Sequence, residues 1–211
     1  MLCQNFSQRK QQNLHLSSDV HARGGMAPPG GARMRDTLSS STSTNGKRLF
    51  VTVGTTSFDS LIRALDDANV VSLLKRLGFT SVVVQFGRGE VDRHGLRHSR
   101  SQPGLQVDAF DFKPTLQDDM RQADLVITHA GAGSIFECLN LHVPCLVVVN
   151  ETLMGNHQTE LANALQERKH LKWCVPKDIL KALKSFDASK LIPYDGGDPD
   201  GVRRKLDDLL G

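Results

Sequence analysis

The sequence predicts an α/β fold, a doubly wound and mostly parallel sheet, and three observations carry that expectation. Short runs rich in β-branched residues alternate with stretches of helical spacing across about 160 residues, the pattern of repeated strand–helix units. The runs are nearly continuous in apolar residues, as in Val82-Val83-Val84 and Leu125-Val126-Ile127, which suits strands covered by helices on both faces. Two of them, ending at Val53 and His129, pass directly into glycines and hydroxyl residues, the way a parallel strand delivers the chain into a helix N-terminus.

Lys47 to Val53 is the first strand, and Gly54, Thr55 and Thr56 lead into helical spacing at Leu61, Ile62 and Leu65. Thr56 with Asp59 three residues on fits a capping box, or else a strand-to-helix turn that faces phosphate. A helix over Val70 to Leu77 stops at Gly78, and Ser81 to Phe86 is a buried strand closed by Gly87-Arg88-Gly89. Residues 88–104, with Arg88, Arg93, His94, Arg97, His98 and Arg100 and no periodicity, form a long loop. Val107 to Phe112 is a strand, Pro114 to Ala123 a short helix, Leu125 to Thr128 the central strand, and Ser134 to Leu141 a helix. Then come the strand Cys145 to Val149, a helix from Asn156 to Gln166, a short strand Lys172 to Val175, and a helix opened by Pro176. Asp200 to Leu210 is a last helix with Val202, Leu206, Leu209 and Leu210 on one face, equally suited to docking a partner and to packing on its own domain.

Length and composition bound the rest. With 211 residues and 39% hydrophobic content, there is material for one full core and a tail. Residues 1–46 are rich in Gln, Ser, Thr, Gly and Arg and read as a disordered extension, 47–186 as the domain, and 187–211 as a tail carrying the last helix. Through residue 48 there are seven basic residues against two acidic ones, a net of plus five, so the overall +3 leaves minus two for the remainder. A near-neutral domain argues against a nucleic-acid groove, which needs clustered Lys and Arg on a structured face. Cys3, Cys138, Cys145 and Cys174 show no metal-ligand pairing and read mainly as buried thiols. No apolar run nears the roughly 18–20 residues that span a bilayer, which points to a cytosolic chain.

The stretch from Leu125 to Gln158 carries the chemistry. A dinucleotide fingerprint would need Gly131, Gly133 and a third glycine where Phe136 stands, so that reading fails. No Gly-Lys-Ser/Thr follows the glycines, and Ser134 lacks the flanking glycine of a nucleophile elbow. No Asp-x-Asp ends a strand and no histidines stand at ligand spacing, so neither a metal nor another cofactor is expected. What remains is a helix N-terminus whose unpartnered N–H groups suit phosphate. Ser134-x-x-Glu137 is a capping-box pattern worth around 1 kcal/mol, and a carboxylate at Glu137 is also placed to accept from ribose hydroxyls. His129 reads either as a satisfied buried histidine or as a phosphate or sugar neighbour. Asn156, His157, Gln158 and Glu160, ordinary cap and surface residues one by one, together suit sugar hydroxyls and an N-acetyl group.

Thr128-His129-Ala130-Gly131-Ala132-Gly133-Ser134-x-x-Glu137, then Pro144, then Asn150-Glu151-x-Leu153-Met154-x-Asn156-His157-Gln158-x-Glu160, resembles the nucleotide-sugar-binding C-terminal half of GT-B glycosyltransferases. More closely, it is similar to the catalytic subunits of the two-part UDP-N-acetylglucosamine transferases of dolichol-linked oligosaccharide synthesis. The similarity runs from Phe50-Val51-Thr52-Val53-Gly54-Thr55-Thr56-x-Phe58-Asp59 through Gln85-Phe86-Gly87-Arg88-Gly89 to about Cys174. The resemblance implies a single Rossmann-like domain that binds UDP-GlcNAc. Gly54, Thr55 and Thr56 with His129, Ala130, Gly131, Ala132, Gly133 and Ser134 would surround the diphosphate, Glu137 the ribose, and Asn156, His157, Gln158 and Glu160 the sugar. It also implies inverting transfer of GlcNAc onto GlcNAc-diphosphate-dolichol, with a membrane-anchored partner holding the lipid acceptor at the cytosolic face of the endoplasmic reticulum. The catalytic base would be His129 or a carboxylate of that partner. The other reading is a UDP-sugar-binding regulatory module with no transfer activity. The 46-residue extension and the long basic loop from Arg88 to Gln102 depart from the family pattern.

Overall fold

The computed structural model describes residues 46–89, 96–151 and 157–196. The N-terminal extension, Asn156 and the last helix expected from the sequence lie outside the described residues. Six strands form one all-parallel sheet: β1 (Lys47–Thr52), β2 (Phe79–Gln85), β3 (Gln106–Phe110), β4 (Leu125–His129), β5 (Cys145–Val148) and β6 (Lys172–Cys174). Their order across the sheet is β3-β2-β1-β4-β5-β6. The chain winds outward from β1 in one direction and then, from β4, in the other. The switch point therefore falls between β1 and β4, which pair in register from Leu49–Leu125 to Thr52–Thr128.

The four inner strands, β1, β2, β4 and β5, are apolar toward both faces, so each face acquires its own helical layer. Leu49, Val51, Val53, Val82 and Val84 pack against α1 (Asp59–Leu65), α2 (Ala68–Arg76) and α7 (Ile179–Lys184). Phe50, Val83, Val126, Cys145 and Val147 pack against α4 (Gln117–Gln122), α5 (Ala132–Asn140) and α6 (His157–Glu167). Fully buried side chains such as Phe50, Leu61, Ile127 and Ile135 each contribute about 1.5–3 kcal/mol of burial.

Local signals explain most helix limits, and several differ from the sequence reading. Asp67 caps α2 by accepting from Asn69 N (2.9 Å) and Val70 N (3.4 Å), and Gly78 at φ +87° closes it. The capping box expected at Thr56 and Asp59 does not form: Phe58 is the N-cap of α1, and the Thr56 hydroxyl donates instead to the Val53 carbonyl at 2.9 Å. Pro114 does not open α4, which starts at Gln117 after the Thr115 hydroxyl has accepted from Gln117 N. The stretch expected to be a structureless loop contains a short helix, α3 (Arg97–Arg100). Asp66, at the C-terminal end of α1, is the cause. Its nearly buried carboxylate accepts from His98 N (3.1 Å), Ser99 N (2.8 Å) and the Ser99 hydroxyl (2.7 Å). Near the C-terminal end, Pro176 opens a 3-10 turn over Pro176–Asp178 before α7 begins.

Candidate functional site

The C-terminal ends of β1 and β4 open into a cleft of about 320 Å³, where Gly54 and Thr55 face His129, Gly131, Gly133 and Ser134. Phe112, Lys113 and Leu116 supply a third side. Gly54 turns the chain away from β1 at φ +65°, a conformation that glycine alone adopts without cost. The turn after β2 packs on it backbone to backbone: a Cβ on Gly87 would lie 2.4 Å from the Thr56 carbonyl and 2.7 Å from that of Gly54. Arg88 N donates to the Thr56 carbonyl at 3.1 Å, so the two turns hold each other.

On the β4 side the helix begins earlier than expected. Gly131, not Ser134, is the N-cap of α5, which corrects the capping-box reading of Ser134 and Glu137. Glycine has no side chain with which to cap. Ala132, Gly133 and Ser134 form the first turn, where backbone N–H groups lack intrahelical acceptors and the helix dipole is positive. Gly133 is exposed, and a Cβ there would meet nothing within 4 Å. Glu137, a turn further on, is half-buried, and its carboxylate makes no hydrogen bond with another described residue.

His129 lies between the two glycine turns. A Cβ on Gly131 would come within 2.3 Å of its Nε2, and one on Gly54 within 2.5 Å of its Cε1. Both positions are glycine because the imidazole occupies the space a Cβ would need. Burial pushes the His129 pKa below 6.5, with the Thr52 backbone acting in the opposite direction, so the ring is neutral at neutral pH. Its buried Nδ1 has no hydrogen-bond partner among the described residues.

The side of the cleft formed by Phe112 and Lys113 carries a cation. Lys113 Nζ is 2.8 Å from Asp119 Oδ2 and 4.0 Å from the centroid of the Phe110 ring, and Asp119 also meets Arg48 Nη2 at 3.1 Å. Phe112 is 48% exposed at the rim, an unusual state for so large an apolar side chain. No group of three His, Cys, Asp or Glu residues with metal-ligand geometry occurs among the described residues.

Of the residues singled out in the sequence, Gly54, Thr55, His129, Gly131, Gly133 and Ser134 line one cleft. Thr56 is exposed beside it, Ala130 is buried in the core, and Ala132 is in the first turn of α5. His157, Gln158 and Glu160 begin α6, which follows β5, the strand next to β4. Sequence reasoning missed Gln85, Phe112 and Lys113 as parts of the cleft. A glutamine closing an otherwise apolar strand was a signal for the first; nothing in the local sequence marked the other two.

A parallel sheet in this order, with an uncapped helix N-terminus and a glycine turn meeting at its switch point, defines the Rossmann-like class of α/β domain that GT-B glycosyltransferases use. The model of the glycosyltransferase family 28 C-terminal domain matches residues 48–196, and the chain belongs to that family. The chain is 47% identical over 128 residues to the mouse UDP-N-acetylglucosamine transferase subunit ALG13, covering 61% of this chain and 11% of that protein. It thus spans about a tenth of that relative's length. It is 36% identical over 139 residues to the subunit of the same name from Yarrowia lipolytica, covering 64% of this chain and 70% of the relative. Among solved structures, the NMR solution structure of ALG13 superposes with a TM-score of 0.56 at 28% identity, covering 76% of this chain and 95% of that one.

Proposed function

We propose that this chain is the donor-binding subunit of an inverting glycosyltransferase, moving N-acetylglucosamine from UDP-GlcNAc to GlcNAc-diphosphate-dolichol. The observation that carries the reading is the uncapped first turn of α5, facing a cleft at the sheet's switch point. The relatives' printed name, UDP-N-acetylglucosamine transferase subunit, supports the donor and the need for a second chain.

In this reading the N–H groups of Ala132, Gly133 and Ser134 hold the diphosphate, with Gly54, Thr55 and Thr56 opposite and Lys113 adding a positive charge. As the bond to the sugar breaks, negative charge grows on the departing UDP, and donors already aimed at that position stabilise it without reorganising. Glu137 has its carboxylate free of described partners and takes the ribose hydroxyls. Asn156, His157, Gln158 and Glu160 take the sugar. His129 sets the spacing of the two glycine turns, so the base for the acceptor hydroxyl is assigned to the partner. No described helix is long and apolar enough to cross a membrane. The lipid acceptor is accordingly assigned to a membrane-anchored partner that recruits this chain to the cytosolic face of the endoplasmic reticulum.

The deciding assay combines the purified chain with UDP-GlcNAc and a short GlcNAc-diphosphate-polyprenol, with and without membranes bearing the acceptor-binding subunit. Transfer of a second GlcNAc is expected only when both proteins are present. UDP binding that persists with no transfer under any of these conditions would favour the regulatory module.

A further inference from the structure

The cleft has two walls that are far apart in sequence, the Gly54 turn and the segment following β3, and one buried side chain bonds to both. Gln85 is the last residue of β2 and 2% exposed. Its Oε1 accepts from the Thr52 hydroxyl (2.5 Å) and from Gly54 N (3.1 Å). Its Nε2 donates to the Gly54 carbonyl (2.6 Å) and to the Asp111 carbonyl (2.8 Å). Two lone pairs and two N–H groups are all that a carboxamide has, and all four are used. The orientation is unambiguous, because a flipped amide would set its NH₂ against the Gly54 N–H and its oxygen against two carbonyls.

Such full use is more than the burial of a strand end requires. β1 and β2 are already joined by their own ladder through Thr52 and Gln85, and Phe86 N donates to the Phe110 carbonyl. The side-chain bonds act beyond the ladder, on the first residues that leave the sheet. They fix both polar groups of Gly54, where the chain turns at φ +65°, and the carbonyl of Asp111 immediately before Phe112 and Lys113.

We propose that Gln85 is the positioning residue of the donor cleft, coupling the Gly54 turn to the Phe112–Lys113 wall so that both stand at the separation a nucleoside diphosphate needs. The proposal rests on the donor reading given above. Gln85 contacts the ligand's walls and acts through them.

Two near-isosteric substitutions in the full chain test this, with UDP as the probe and titration calorimetry and thermal unfolding as readouts. Gln85→Met leaves both Gly54 groups and the Asp111 carbonyl without this partner, and UDP affinity should fall roughly 10- to 100-fold. Gln85→Glu is the sharper test. An ionised carboxylate would oppose the Gly54 and Asp111 carbonyls, whereas a protonated carboxyl restores one donor, and burial beside carbonyls favours the protonated form. UDP affinity of Gln85→Glu relative to the wild type should therefore rise as pH falls. His129, Asp111 and Lys113, the charged and titratable groups nearest this carboxamide, are common to both proteins, so the ratio isolates the new carboxyl. Folded variants that bind UDP like the wild type at every pH would overturn the proposal. So would loss of folding in both variants at every pH, which would make Gln85 a folding residue only. A wild-type chain that does not bind UDP would instead refute the donor reading beneath it.

Discussion

Replacing Gly133 by Ala should make the protein more stable and a poorer nucleotide binder at once. Gly133 is in the first turn of α5, exposed, with nothing within 4 Å of the position its Cβ would take. Alanine loses less backbone entropy in a helix, so the substitution is expected to stabilise the fold by about 0.5–1 kcal/mol. For a domain of this size that raises the melting temperature by about 1–4 °C. The same methyl would project into the cleft, where the first-turn N–H groups are proposed to hold the diphosphate. Loss of one charge-assisted hydrogen bond, worth about 1.5–3 kcal/mol, weakens UDP binding roughly 10- to 100-fold. Calorimetric unfolding and UDP titration on the same preparation read both effects. A variant that is stabilised yet binds UDP as tightly as the wild type would refute the assignment of the diphosphate to α5. A variant that melts lower would refute the open placement of Gly133.

Gly131 should behave in the opposite way, because its Cβ would meet His129 Nε2 at 2.3 Å. Gly131→Ala is expected to cost about 1–3 kcal/mol, and the cost should largely vanish in a His129→Ala background; a denaturant double-mutant cycle that is additive within about 0.5 kcal/mol would show the wedge to be unimportant. Since burial lowers the His129 pKa, the unfolded chain binds the extra proton first as pH drops below 6.5. The contribution of His129 to stability is thus complete above 6.5 and declines through the acid side of that value, so His129→Asn should flatten the acid limb of a stability–pH curve. An unchanged slope would contradict the lowered pKa. Glu137→Ala, with no described partner lost, should leave unfolding free energy within about 0.5 kcal/mol of the wild type and weaken UDP binding roughly tenfold. If it lowers the melting temperature and leaves UDP binding intact, Glu137 supports the helix alone.

The contrast among these glycines shows how far local sequence can be read. Gly131 and Gly133 look alike in Ala-Gly-Ala-Gly-Ser, and the linear pattern suggested a phosphate turn capped by Ser134. Both capping boxes failed for one reason: a hydroxyl three residues before an acid marks a helix start only where the preceding chain enters at the right angle. Here the exits from β1 and β4 are set by the sheet. Thr56 is drawn to the Val53 carbonyl, and α5 starts directly at the glycine. The α3 turn escaped notice likewise, because the residue that orders it, Asp66, is some thirty positions earlier.

The class of fold, the succession of its strands and the strand ends at which a ligand would meet the sheet are legible in the amino acids alone. Those follow from short-range physics: apolar runs that must be covered on both faces, and glycines where strands hand over to helices. Which distant residues share the cleft depends on how the strands are laid side by side. Gln85 reaches Gly54 and Asp111, and His129 fills the space between Gly54 and Gly131. Each of these depends on strands that are neighbours in the sheet and remote in the chain, and side-chain contacts of that kind leave no periodicity to read.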